Sequence, residues 1–486
     1  MRHHRYASLM IGLTASAAGL FAQYNTTILP VPAGIPDDGN TSIVPATTSP
    51  INNKGQVAAT VNRPGMDGVP AVWTNGVPTL LPVPDGYRLY ALKAINDAGV
   101  VVGQIQAKTA LGNASQPVVW NGTTPTIIPH FPAPCASNTN EATYISTPIA
   151  INRAGHIAGE THKADACDWG WIWDGAQFTT ILTYTATCGG APRITSSLTP
   201  MGINDADHVF AELAVPNPIT GSCESGSFST PALIVPGRSV SLLAVPASYN
   251  LTLTGNQINN LDQTYGVFPS GQFLGAFFWN GTNYINANVP PPTASFVAMN
   301  NLGQALLLEG FGGNPQVSTW QNGTRTPITL ASPITRIDSP AGLNDAGQIA
   351  GYATLQVNGV FFSRTAVLTP SGGCAADVTS EVAISRGGFR LNRATGHFTQ
   401  LVTVTNNSGA SIPGPISVVF DNVPSNATLF GLSGATACNA PAGSPFISAP
   451  SDLASGQSVT VTLEFIDTAN TGITYSTRVI AGAGIR

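Results

Sequence analysis

Two glutamates hold the same place in neighbouring stretches of this 486-residue chain, Glu160 in HIAGETH and Glu212 in HVFAELA. Paired carboxylates on adjacent elements can hydrolyse a glycosidic bond, one protonating the leaving group and the other activating water or attacking the sugar. The equivalent positions elsewhere hold Thr60, Gln104, Val267, Leu308 and Tyr352, the spread of an ordinary variable strand position. The glutamates are therefore candidates without a signature around them.

A second concentration lies in HIAGETHKADACD, where His156, His162, Asp165, Cys167 and Asp168 are all types that ligate metals. Their spacing matches no zinc motif, and Cys167 is more simply used in a disulfide, so neither a metal nor another cofactor is expected. The chain contains no G-x-S-x-G, H-E-x-x-H, phosphate-binding glycine loop or dinucleotide fingerprint. Its recurrent NDAG turns lack the alternating oxygen ligands of a calcium loop.

The elements that position these residues repeat. An aliphatic residue, Asn, a turn and a β-rich stretch occur seven times, as INNKGQVAA at 51, INDAGVVVG at 95, INRAGHIAG at 151, INDADHVFA at 203, INNLDQTYG at 258, MNNLGQALL at 299 and LNDAGQIAG at 343. The spacings are 44, 56, 52, 55, 41 and 44 residues. Most copies continue into an apolar strand ending in Trp and a turn, such as AVWTNG at 71, VVWNG at 118, WIWDG at 171 and FFWNG at 277. Copies four and seven carry Val235 and Leu368 in place of that Trp.

Within the motif, Gly supplies the positive φ of a tight turn, and Asp207 and Asp262 replace it with a residue that tolerates that conformation. The small residues Gly103, Gly159 and Gly351 suit close packing between units, and the Trp is the expected filler between neighbouring sheets. Units of this length with four short strands have the period of a propeller blade. The seventh copy ends at AVLTPSGGC without its last strand, while QYNTTILPVPAGIP near the N-terminus resembles the last strand of other units. That segment is expected to complete the seventh unit and close the ring.

The IN-x-x-G-x-[VI]-x-G block, followed by an aromatic strand and W-x-G, resembles the bacterial extracellular repeats of the HAF family, named for a His-Ala-Phe triplet. Here the triplet survives best as Gly275, Ala276 and Phe277, and its His is absent from every copy. The resemblance covers roughly residues 24 to 374 and implies export and a propeller-like array, not an activity.

Beyond Cys374 the period stops. Alternating segments such as HFTQLVTVTNNSG, ISVVFDNVP and SVTVTLEFI predict a β-sandwich over residues 375–486, similar to the immunoglobulin-like modules of bacterial surface proteins.

Residues 1–22, with basic residues before an apolar run from Leu9 to Ala22, read as a signal peptide. Its removal leaves 17 basic against 24 acidic residues, without the basic patch that a nucleic acid partner needs. No integral membrane span is expected in the mature chain, because no later run of 18 apolar residues exists. Six cysteines in an exported chain read as disulfides.

In a four-stranded blade the loop between strands two and three shares a face with the connection to the next blade. This argument favours Cys135–Cys167 and Cys188–Cys223, leaving Cys374–Cys438, among 15 possible pairings.

The sequence thus leads to an all-β fold, a seven-bladed β-propeller over residues 23–374 followed by an immunoglobulin-like β-sandwich. The functional expectation is a secreted or cell-surface, non-catalytic binding or structural protein whose partner is an extracellular glycan or protein. The alternative is an extracellular hydrolase acting on polysaccharide or peptide through carboxylates at the channel.

Overall fold

The computed structural model describes residues 22–37, 39–108, 114–131, 144–163, 169–181, 184–188, 191–195, 198–215, 228–235, 239–243, 257–270, 273–286, 294–310, 315–321, 323–330, 333–357, 360–370, 374–393, 396–424, 426–430, 432–436, 439, 441, 443–449, 452–467, 472–482, 484 and 486. Apart from one short 3₁₀ turn at Thr379–Glu381, every regular element among these residues is a strand.

Copies one to four each form a four-stranded antiparallel sheet, with the strand that leads into the Asn turn at one edge. In copy two the order is Tyr87–Ile95, Val101–Ala107, Gln116–Asn121 and Thr124–Ile127. The described part of copy five has three strands, and copies six and seven join in one eight-stranded sheet. Proline stands on the last strand of several units, as Pro78, Pro125 and Pro327. A residue without an N–H at the outer edge limits pairing with another chain there.

The strand Ala22–Ile28 pairs antiparallel with Val360–Pro370, in register from Tyr24 opposite Pro370 to Ile28 opposite Ala366. It supplies the outermost strand of copy seven, as its likeness to the other last strands led one to expect. It begins at Ala22, the last residue assigned to the leader. Ala22 and Gln23 also pair parallel with Ile328 and Thr329 of copy six.

Neighbouring sheets are filled by large side chains. Trp73, Trp120 and Trp320 are at most 1% exposed. Trp120 packs with Ala46, Ala58 and Val72 of copy one, and Trp73 with Ala350 and Val367 of copy seven. In copy three the motif residue Trp173 is only half-buried, and the interior position passes to Trp171 two residues earlier. The glycines play a different part from the one expected. A Cβ on Gly103 would come within 2.9 Å of Trp120, and one on Gly159 within 2.3 Å of Trp171, so each gives room to the indole of its own sheet.

The C-terminal residues build two sheets around an apolar core that includes Val402, Val418, Phe420, Leu463, Phe465 and Val479. The strand His397–Asn406 alternates, with Val402 and Val404 buried and Leu401 exposed. In contrast, all six residues of Ile416–Asp421 are buried. Ile416, Val418 and Phe420 face the module's own core, whereas Val419 packs with Leu302 of copy six. A strand buried on both faces reports a sheet covered on both sides: Val419 meets the repeat region, while Ser417 and Asp421 are met by Arg486 and Arg478 of the module itself.

Candidate functional site

The residue shared by all seven motifs is the Asn, and the structure gives it more to do than enter a turn. Asn52 Nδ2 donates to Asn96 O, Asn96 to Asn152 O, Asn152 to Asn204 O, Asn204 to Asn259 O, Asn259 to Asn300 O and Asn300 to Asn344 O. Asn344 Nδ2 then donates to Asn52 O, and the circuit closes with every length between 2.8 and 3.2 Å. On the other side of the amide, Asn52 Oδ1 accepts from Lys54 N and Gln56 N of its own turn. Asp has no hydrogen to donate at neutral pH, so only Asn closes its own turn and reaches the next unit at this length.

A second belt lies one residue further on. Asn53 N donates to Asp97 Oδ1, Arg153 N to Asp205 Oδ1, Asp205 N to Asn260 Oδ1, Asn260 N to Asn301 Oδ1, Asn301 N to Asp345 Oδ1 and Asp345 N to Asn53 Oδ1. The seventh step, from Asp97 to Arg153, is missing because a guanidinium offers no acceptor. Asp345 accepts three hydrogen bonds from Asn301 and Asn53 and is 4% exposed. Burial pushes its carboxyl up to about 7, the charge of Asp97 adds to the rise, and the donated hydrogen bonds oppose it. Burial likewise raises Asp205.

The belt Asn has a further hydrogen to place. In copies one, five, six and seven it goes to a Gln four residues on, as in Asn52 to Gln56 Oε1 at 2.9 Å. In copies three and four it goes to the next unit's Asp, from Asn152 to Asp207 Oδ1 and from Asn204 to Asp262 Oδ1, each at 2.8 Å. The Gln of those copies has become His156 or His208, whose Nδ1 lies 2.9 Å from Asp207 and 2.8 Å from Asp262. The hydrogen bond with Asp207 is the largest cause of a pKa raised in His156. Where the partner is Gln, the facing residue is Gly, and a Cβ on Gly99 would meet Gln56 Oε1 at 3.1 Å. Gln with Gly and His with Asp are two solutions to one contact. The paired substitution is visible in the sequence, but it pairs positions about 50 residues apart and so was missed.

The belt lines an axial cavity of about 150 Å³. Two residues before the belt Asn stand Pro50, Ala94, Ala150, Gly202, Ala298 and Gly342, but copy five has Gln257. Gln257 Nε2 donates to Thr48 O of copy one at 2.8 Å while its Oε1 accepts from Met299 N of copy six at 2.8 Å. A side chain joining copies one and five passes over two intervening units, so Gln257 bars the axis. Thr48 also borders a second cavity of about 470 Å³, lined by Val44, Tyr265, Phe296, Pro340 and Tyr352 among others, with no charged residue.

Glu160 pairs across its sheet with Thr147 and Gly170, and Glu212 with Thr199 and Pro231. They remain on separate sheets. Gln104 and Tyr352 show where this strand position leads: Gln104 reaches Ser146 O and Thr147 Oγ1 of the next copy, and Tyr352 lines the larger cavity. Burial lowers Lys93, and the charge of Glu160 opposes that shift.

The metal candidates do not converge. His156 precedes and His162 nearly ends the strand Ile157–Lys163, an extended separation of about 20 Å, too far for one ion. Asp165, Cys167 and Asp168 lie outside the described residues, among which no cluster of three or more metal-ligating groups occurs. Cys374 is disulfide-bonded. Cys135, Cys167, Cys223 and Cys438 lie outside the described residues, and Cys188 ends the strand Tyr184–Cys188. Among the described residues, no helix is long and apolar enough to cross a membrane.

No protein-family model and no curated protein matches the chain. Among solved structures, the β-propeller domain of the Trilobed protease from Pyrococcus furiosus is similar at 9% identity and a TM-score of 0.45, over 68% of this chain and 96% of that one. A prolyl endopeptidase is similar at 12% identity and a TM-score of 0.43, over 75% of this chain, which spans about half (55%) of that one. TolB from Acinetobacter baumannii is similar at 10% identity and a TM-score of 0.34, over 68% of this chain and 80% of that one. The chain is all-β and its structural neighbours are propeller-like; at these levels nothing about chemistry follows.

Proposed function

We propose that this chain is a secreted or cell-surface protein that binds an extracellular glycan or protein without catalysing a reaction. In this reading residues 23–374 form a seven-bladed β-propeller of HAF-like repeats and residues 375–486 an immunoglobulin-like sandwich. The closed circuit of seven asparagines supports the blade count. The leader-like residues 1–22 support export, and the disulfide at Cys374 supports an oxidising compartment.

The observation that carries the non-catalytic reading is the use of the belt Asn: the polar side chain common to all seven copies is committed inside the ring. Recognition then falls to residues that differ between copies. The uncharged 470 Å³ cavity with Tyr352 on its wall is of the size that small ligands use and suits a neutral partner. On glycan and protein arrays, the full chain is expected to bind without turnover and to lose at least tenfold in affinity on Tyr352→Ala. Wild-type binding by Tyr352→Ala would remove the cavity from the account.

A hydrolase is the second reading, motivated by Glu160 and Glu212 on adjacent sheets. It predicts product release from a polysaccharide or peptide panel, abolished by Glu160→Gln or Glu212→Gln. Release of that kind would overturn the non-catalytic reading.

A further inference from the structure

We propose that the C-terminal module is a proton-linked cap on the repeat region, anchored by Leu302 and coupled to pH through Asp345, so that it docks most tightly in acid. The anchor shows as an irregularity between copies. The tip of the Asn turn carries Lys54, Ala98, Ala154, Ala206 and Ala346 in five copies, but Leu261 and Leu302 in copies five and six. Leu302 is buried in a cluster with Ala375, Val419, Phe446 and Ile480, all from residues beyond the repeats. Beside it, Asn260 Nδ2 donates to Leu432 O at 2.7 Å. The footprint covers the tip of copy six and reaches Asn260 of copy five and Asp345 of copy seven, while Lys54, Ala98, Ala154, Ala206 and Leu261 remain exposed.

Three copies place Asp at the same point of the outer belt. Asp97 and Asp205 sit half-buried beside exposed tips, whereas Asp345, at the covered end, is 4% exposed. The groups facing Asp345 come from three directions: Asn53 and Asn301 donate hydrogen bonds, Asp97 adds negative charge, and Arg486 comes from the module. Arg486 is held by Ser417 Oγ and Pro415 O, each at 3.0 Å, and burial pushes it down to about 10, with the charge of Asp345 opposing the shift.

The docked carboxyl therefore titrates near 7, and loss of the cap gives it access to water and lowers it from there, by less than full exposure would, since Asp205 in an uncovered turn is itself raised by burial. Docking takes up a proton in the interval below 7. Its contribution is complete at low pH and lost as pH rises to about 7, a change of up to about tenfold in the docking equilibrium per pH unit. Above 7 it levels off.

Scanning calorimetry of the full chain at pH 4.5 and 7.5 tests this. Module and repeats are expected to unfold in one coupled transition at pH 4.5 and to separate towards two at pH 7.5. Asp345→Asn, which cannot ionise, should remove that difference, and Leu302→Asp should give two transitions at both values. Arg486→Gln, which takes away the positive neighbour, should carry the separation to higher pH and provides the test should Asp345→Asn not fold. The proposal is overturned if Asp345→Asn keeps the wild-type pH dependence, if Arg486→Gln leaves the dependence where it was, or if Leu302→Asp still unfolds in one coupled transition.

Discussion

The seam between copies two and three and the seam between copies seven and one differ at the belt. At the seven-to-one seam both belts are complete: Asn344 donates to Asn52 O and to Gln348 Oε1, and Asp345 and Asn53 bond in both directions. At the two-to-three seam Val100 replaces the accepting Gln and Arg153 breaks the outer belt, so Asn96 Nδ2 keeps its bond to Asn152 O alone from that set. The polar contacts reappear further along the seam. Gln104, 2% exposed, donates to Ser115 Oγ, Ser146 O and Thr147 Oγ1, and Ser146 N donates to Ser115 O. The residue matching Gln104 in copy seven is Tyr352, and there the seam borders a 470 Å³ cavity. At that register the seven-to-one seam keeps a polar contact from the next strand, Thr365 Oγ1 donating to Ile43 O at 2.7 Å, so both ends of this seam are stitched and the cavity opens beside the stitch.

The largest effects are expected at the belt. Asn344→Asp places a carboxylate against the orphaned acceptors Asn52 O and Gln348 Oε1 and is expected to cost at least about 3 kcal/mol in urea unfolding. Asn96→Asp, facing one such acceptor, should cost about 1 kcal/mol less; equal losses would show that the missing Gln does not matter. Gln104→Ala, which strands buried partners, should cost about 2 to 3 kcal/mol, and a neutral result would remove the compensating stitch.

A third kind of seam sharpens the picture. His156→Gln should destabilise by about 1 kcal/mol at pH 6 and recover in combination with Asp207→Gly, which restores the pair used elsewhere. The raised pKa of folded His156 means that its contribution is complete below the ordinary value of 6.5 and fades as pH rises through the folded value. The loss on substitution should therefore shrink by pH 9. The smallest effect is expected from Val100→Gln, which gives Asn96 its missing acceptor and should add about 0.5 to 1 kcal/mol.

The fold was legible wherever its cause is local. Turn chemistry at Gly99 or Asp207, the Trp strands and the orphan last strand of copy seven all repeat along the chain, and each led to a strand arrangement seen in the structure. What joins one copy to the next was not legible in the same way. The belt Asn reads as a turn residue because its second partner is a backbone carbonyl some 50 positions away, and a carbonyl has no sequence identity. Signals did exist for three other features: Gln257 among six small residues, His156 and His208 each matched by an Asp in the next copy, and the run Val418, Val419 and Phe420 where a two-sided sandwich should alternate. The candidate site fared less evenly. Glu160 and Glu212 do fall on adjacent sheets, but His156 and His162 are carried apart by an extended strand that their closeness in sequence conceals.

The Asn circuit runs in one direction, each amide giving to the next carbonyl until the first is reached again. Each Asn is thereby held from both sides, one bond given through its side chain and one received at its backbone carbonyl, and no unit of the circuit is an end. Breaking one link converts the loop into a chain with two ends. The first substitution anywhere in the circuit should consequently cost more than a second made elsewhere in it, a departure from additivity that a linear stack of the same seven turns would not show.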